Sequence, residues 1–189
     1  TYYFDPADGS MFIGWHEIDG HRFYFDPDGK MLTGWQTIDD KTYHFSDEGY
    51  VLIGLQKVDE DYYYFDENGI MQFEWQIIND HIYYFDSVGK MVTGWQAIGG
   101  LSYYFDAEGH MLTGLLTIDG AKYYLDENGI RQYGWQTIDG AKYYFSYNNA
   151  TIGQALVGIN SINSKYYAFD AEGKLLTGGW LEIDGKRYY

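Results

Sequence analysis

The sequence predicts an all-β protein, a solenoid of stacked β-hairpins built from about nine 20-residue repeats. Three columns carry that expectation. Tryptophan recurs at multiples of 20 residues, at Trp15, Trp35, Trp75, Trp95 and Trp135, with Leu55 and Leu115 in the gaps. A second column runs Phe25, Phe45, Phe65, Phe85, Phe105, Leu125 and Phe145. A third runs Gly9, Gly29, Gly49, Gly69, Gly89, Gly109 and Gly129. A unit this short cannot close a core alone and must stack on its neighbours. Function is therefore expected on repeated surfaces rather than in one deep catalytic cleft.

Each element of the unit follows from local chemistry. In the unit that begins at Gly14, Trp15 to Ile18 is a short alternating segment. Asp19-Gly20 signals a two-residue type I′ turn, which needs positive φ at both positions. His21 to Phe25 is rich in aromatics and suits the return strand. Asp26-Pro27-Asp28-Gly29 makes a second turn, and Met31-Leu32-Thr33 leads into the next unit. The two-residue turn pairs 18 with 21, 17 with 22, 16 with 23 and 15 with 24, and paired residues share a face. Ile18, Phe23 and Phe25 then lie on one face, which is assigned to the core. Trp15, Glu17, Arg22 and Tyr24 lie on the other. Positions 17 and 22 vary between units while the aromatic pair persists, which predicts a groove between neighbouring hairpins.

Composition narrows the function. Aromatic residues make up 21% of the 189 residues, including 22 Tyr, as expected where small hairpins cannot build a core from aliphatic side chains. The formal net charge is −16, with most acids in predicted turns, and a field of this sign excludes nucleic acid as a partner. There is no cysteine, so disulfide scaffolds and thiolate metal sites are excluded. No apolar run reaches membrane-spanning length, so no membrane insertion is expected. The chain opens within a repeat at Thr1-Tyr2-Tyr3-Phe4 and closes within one at Arg187-Tyr188-Tyr189. It reads as one continuous array, residues 1–189, from a larger protein, with an expanded repeat at 134–157.

No catalytic or metal constellation emerges. His16, His21, His44, His81 and His110 fall at four different positions of the repeat and form no ligand spacing. Turns such as Asp66-Glu67-Asn68-Gly69 lack the remaining ligands of a calcium loop. Carboxylates abound in repeated, exposed turns, whereas a catalytic acid and base should be singular and sheltered. No cofactor, no metal and no enzymatic activity are expected. The aromatic pairs are the candidate ligand-binding residues: Trp15 with Tyr24, Trp35, Trp75, Trp95 with Tyr104, and Trp135 with Tyr144. Such rings can pack below and present a platform above to a sugar or a quaternary ammonium group.

The run Gly-Trp, Ile-Asp-Gly, Tyr-Tyr-Phe-Asp and Gly-x-Met-x-Thr-Gly resembles the cell-wall-binding repeat family of Gram-positive bacteria. Its members include choline-binding modules, glucan-binding domains of glucansucrases and the C-terminal repeats of clostridial toxins. The resemblance covers essentially the whole chain. It implies a β-hairpin solenoid on a secreted or bacterial cell-surface protein. Choline-binding modules usually carry Trp immediately before the Tyr-Tyr pair. Here that column reads Arg22, Thr42, Tyr62, Ile82, Ser102, Lys122, Lys142, Tyr166 and Arg187. Only Tyr62 and Tyr166 could complete an aromatic cage, and their units carry Leu55 and Ile159 where Trp is expected. The departure places the chain nearer the glucan-binding and toxin branches.

The step from Gly134 to Gly158 is 24 residues, and the period breaks otherwise only at Gly178-Gly179. The expanded stretch, Asn-rich and ending in Gly-Gln-Ala-Leu, resembles the longer repeats of the toxins, where glycan binds at the meeting of a long and a short repeat. By that resemblance the best glycan site lies where the expanded repeat joins the next unit, with Asn148, Asn149, Gln154, Lys165 and Tyr166, and with Ala168 opening space. The expected partner is surface carbohydrate or cell-wall polymer, held by a non-catalytic module that anchors a parent protein. The alternatives are a choline (teichoic acid) module and a structural spacer.

Overall fold

The computed structural model describes residues 1–179, 181–183 and 185–188. Tyr189, which ends the sequence, lies outside the described residues. The fold is all-β, a succession of antiparallel two-stranded hairpins. Its one helical element among the described residues is a short 3-10 turn, Asn149–Thr151, in the expanded repeat. The chain divides into two compact units, Thr1–Val92 and Thr93–Tyr189. The first holds Gly14–Ile18 with His21–Phe25, Gly34–Ile38 with Lys41–Phe45, Gly54–Val58 with Asp61–Phe65, and Glu74–Ile78 with His81–Phe85. The second holds Gly94–Ile98 with Leu101–Phe105, Gly114–Ile118 with Ala121–Leu125, Gly134–Ile138 with Ala141–Phe145, Gly158–Ile162 with Lys165–Phe169, and Leu181–Ile183 with Lys186–Tyr188.

Register follows the turn. Asp19 and Gly20 have φ of 51° and 77°, the type I′ signature. They pair Trp15 with Tyr24 and Glu17 with Arg22, as the sequence predicts. The second turn closes on its aspartate: Asp26 Oδ1 accepts the amides of Asp28 and Lys30, at 3.0 and 2.9 Å. This Asx chemistry recurs at Asp66, Asp86, Asp106, Asp126 and Asp170.

The core lies on the predicted face. Phe25, Phe45, Phe65, Phe85, Phe105, Leu125 and Phe145 are almost wholly buried, and Ile38, Val58, Tyr43 and Tyr63 pack with them. Stacking of successive repeats explains the glycine column. The methionine of one connection lies over the glycine of the next turn, so that a Cβ on Gly89 would sit 2.6 Å from the Met71 sulfur. Gly29 over Met11, Gly49 over Met31 and Gly69 over Val51 are closer still. Methionine suits the role because its unbranched thioether adapts to an irregular gap.

One first-strand position breaks the pattern. Glu74 holds φ of 58° where the equivalent residues of the other hairpins are glycines such as Gly54 and Gly94. A side chain in the left-handed region is strained by about 1–2 kcal/mol. Glu74→Gly should therefore raise stability by about 1 kcal/mol, read as a higher denaturation midpoint with an unchanged slope. Phe85→Ala, in contrast, should cost about 3–5 kcal/mol in the same measurement; a near-neutral result would mean that the core lies on the opposite face.

Candidate ligand-binding clefts

The register that buries phenylalanine lifts tryptophan to the other face, beside its cross-strand tyrosine. Trp15 meets Tyr24 edge-on at 5.1 Å, Trp75 meets Tyr84 at 4.9 Å, Trp95 meets Tyr104 at 5.1 Å and Trp135 meets Tyr144 at 5.2 Å. Trp35 has His44 in the tyrosine place, at 4.7 Å. The next hairpin supplies a further wall. Tyr43 lies 5.0 Å from Trp15, Tyr63 4.8 Å from Trp35, Tyr123 4.9 Å from Trp95 and Tyr167 5.0 Å from Trp135. The connection after that hairpin closes the floor. Val51 donates its amide to the Arg22 carbonyl at 2.8 Å, Met71 to Thr42 at 2.9 Å and Leu175 to Lys142 at 2.7 Å. Each cleft therefore has two conserved-in-type aromatic walls and two positions that vary between repeats.

Those variable positions decide what occupies a cleft. The Arg22 guanidinium carbon lies 4.1 Å from the centre of the Trp15 ring, and its NH1 donates to the Asn68 carbonyl at 2.9 Å. Arg131, which takes the methionine place, lies 4.8 Å from the Trp95 ring centre and donates from Nε to the Tyr133 hydroxyl at 2.8 Å. Trp15 and Trp95 are half-buried beneath these cations, whereas Trp35 and Trp135 remain 40% exposed. The cation–π sites of two clefts are thus filled by the chain itself. Thr42 leaves the Trp35 cleft without such a cap. The Trp135 cleft, about 370 Å³, is lined by Gln136, Thr137, Lys142, Tyr167 and Leu175.

The two cages that the sequence left open to Tyr62 and Tyr166 are not assembled. Both rings are exposed, at 41% and 79%, and they face Lys57 and Ser161 across their hairpins. In the latter hairpin Ile159 pairs with Ala168, so the aromatic pair is missing altogether.

The expanded repeat brings together a different set from the five residues singled out there. Gln154 lines a cavity of about 420 Å³ with Thr117, Lys122, Ala155, Val157 and Glu172. Its Nε2 donates to the Tyr123 hydroxyl at 3.1 Å. Lys122 and Glu172 form an ion pair at 2.7 Å, and the same pair lines an adjoining cavity of about 310 Å³ with Leu115, Asp139, Tyr143 and Lys174. The glutamate holds the Lys122 ammonium above its ordinary pKa, mainly through their hydrogen bond. Asn148 instead caps the 3-10 turn, accepting from the Ala150 amide at 2.9 Å, and Asn149 lies exposed within it. Lys165 and Tyr166 sit exposed at the tip of the following hairpin and line neither cavity. The room comes chiefly from Ala155, where other units carry Met, Val, Arg or Leu, with the small Ala121 and Ala171 beside it. Arg131 is legible as an exception to the methionine column, whereas Lys122 and Glu172 match residues at the same positions of other units, such as Lys142 and Glu108, so no column signal marks them.

A repeat of hairpins with inter-hairpin aromatic clefts defines a class of surface-binding module, and the comparisons with known proteins agree. The choline-binding repeat family matches residues 52–93 and 92–130. The cell wall binding repeat family matches 13–31, 33–51 and 134–149. No curated protein shows a significant match in sequence. Among solved structures, CbpJ from Streptococcus pneumoniae TIGR4 is 29% identical with a TM-score of 0.84, over 97% of this chain and 72% of that one. Choline binding protein F from Streptococcus pneumoniae, determined in the presence of a peptidoglycan analogue, is 29% identical with a TM-score of 0.80. The match spans 93% of this chain and 61% of that one. The modular autolysin LytC from the same species shares the fold at 24% identity, with a TM-score of 0.60 over 100% of this chain and 50% of that one. The chain belongs to the cell-wall-binding repeat family.

His44 marks one cleft chemically. Its Nδ1 is buried with no hydrogen-bond partner among the described residues. Burial holds the imidazole below its ordinary value of 6.5, against the pull of Asp59 and Asp47. The unfolded chain therefore takes up a proton first, so this group's contribution to stability is complete above pH 6.5 and lost as pH falls from there through the lower folded value. His44→Tyr, which restores the residue of the other repeats, should reduce the fall in denaturation midpoint between pH 7 and pH 5. Parallel midpoint curves for the two proteins would refute the assignment.

Proposed function

We propose that this chain is a non-catalytic module that holds its parent protein to cell-wall or surface carbohydrate. The observation that carries the reading is the filling of the Trp15 and Trp95 clefts by Arg22 and Arg131. A quaternary ammonium ligand would have to displace a guanidinium from the ring, whereas a neutral sugar needs no such exchange. The paired cavities around Lys122 and Glu172 supply what a saccharide requires: apolar walls with Thr117, Gln154 and Asp139 for hydroxyl groups. The choline binding protein F structure determined in the presence of a peptidoglycan analogue is consistent with such a ligand. Several weak sites on one chain would gain avidity through effective concentration. A secreted or cell-surface location follows from this role.

A second reading has its own support. The Trp35 cleft, with Tyr63, Thr42 and Met71, has no cation over its indole among the described residues, and its aromatic faces suit a quaternary ammonium group such as choline. Titration of tryptophan fluorescence separates the two. On the favoured reading, peptidoglycan-derived oligosaccharides give a saturable change, and Gln154→Ala weakens it by about three- to tenfold, the value of one or two hydrogen bonds. A saturable choline response that disappears in Trp35→Ala, with no response to oligosaccharide, would establish the choline reading instead.

A further inference from the structure

We propose that Tyr147, carried on the expanded repeat and backed by Tyr133, is a stacking platform for a pyranose ring. The inference rests on the carbohydrate reading and adds a site outside the tryptophan clefts and the Lys122–Glu172 cavities. Tyr147 occupies the second position of the Asx turn, where the other units carry only Pro, Asp, Glu, Ser or Ala. Tyr133 lies at the position that holds Ile, Thr, Phe or Val elsewhere. Two departures from the repeat therefore meet. Their rings stack at 5.6 Å with an interplanar angle of 22°.

The ring is both exposed and fixed. Tyr147 is 64% exposed. One face is against Tyr133, and the Tyr144 ring braces it edge-on at 6.4 Å. Its hydroxyl lies 3.0 Å from where a Cβ on Gly134 would stand, so the glycine makes room for the ring. The loop beneath is tied by hydrogen bonds. Ser146, 5% exposed, pairs its Oγ with that of Thr151 at 3.0 Å and accepts the Asn148 amide at 3.0 Å. The Gly153 amide returns to the Ser146 carbonyl at 2.8 Å. An aromatic face held in advance loses little freedom when a ligand stacks on it. Apolar sugar faces suit such a ring, and Asn149 stands exposed close by in the chain to receive a hydroxyl. From Tyr144 the rings continue to Trp135 at 5.2 Å and on to Tyr167 at 5.0 Å, so the platform leads toward the Trp135 cleft.

The test is saturation-transfer NMR and calorimetry on the whole chain with chito- and isomalto-oligosaccharides. The variants are Tyr147→Ala, Tyr147→Leu and Tyr147→Phe, each checked for an unchanged circular dichroism spectrum. The wild type should bind, Tyr147→Phe should match it within twofold, and the Ala and Leu variants should weaken binding by about five- to tenfold. Leucine keeps apolar bulk while removing the π face, so it guards against a loop that collapses in the alanine variant. Binding that is equal in all four proteins overturns the platform and leaves the carbohydrate reading intact. A wild type that binds neither sugar series overturns both.

Discussion

Each hairpin of this chain is too thin to bury its own phenylalanine, and the packing of one connection on the next turn makes good the deficit. Phe85 pairs with Met91 across an isolated bridge, and Met71 of the connection before covers Gly89. The glycine must be glycine for two reasons at once: φ of 84° and a methionine sulfur where a Cβ would stand. Phenylalanine, methionine and glycine columns are therefore one constraint seen at three positions. It is local in sequence, since the partners lie within about a repeat of each other, and such nearest-neighbour coupling is what lets a solenoid extend by simple repetition.

The same constraint determines the candidate binding face. Once Phe25 points into the core, the pleat obliges Tyr24 and its partner Trp15 to point away. The stacking of hairpins then delivers the buried Tyr43 of the next hairpin to within 5.0 Å of the indole. Aromatic walls are thus a by-product of the fold, present whether or not a ligand is bound. Among the clefts that keep their tryptophan, much of the difference lies in the residue before the tyrosine pair and the residue in the methionine place. Arg22 fills a cleft from the first of these and Arg131 from the second. The first of these positions can change without touching the core, whereas the second, which holds the buried Val51 and Met71 in other repeats, is shared between cleft and core.

This division explains what could be read from sequence. The hairpins, both turn types, the register and the buried face follow from short-range rules, and the structure reproduces them at Asp19-Gly20, Asp26 and Phe25. The contents of the clefts depend on contacts between repeats, which the column pattern averages away. A cation at position 22 was visible, but not whether it turns onto its tryptophan, as Arg22 does, or away to a carboxylate, as Lys122 does toward Glu172. The expanded repeat was visible as a site of interest. Lys165 and Tyr166 follow it in the chain, yet the hairpin carries them to its exposed tip, while the space opened by Ala155 and Ala171 receives Lys122 from an earlier hairpin.

Charge completes the argument about ligand class. A net charge of −16 draws cations toward the surface without selecting among them. The chain has 12 Lys and Arg residues, and several are committed to internal partners: Arg22 and Arg131 to indole rings, Lys122 to Glu172, Lys90 to Asp61. An acidic protein that spends two of its few arginines on covering its own aromatic rings gives up the places where a ligand cation would gain most. At exposed positions the remaining attraction is screened within about 8 Å at physiological salt, too little to hold a small cation firmly. Stacking and hydrogen bonding are far less sensitive to salt. They are the interactions that the uncapped Trp135 ring, Gln154 and Tyr147 retain, and the carbohydrate reading proposed above rests on them.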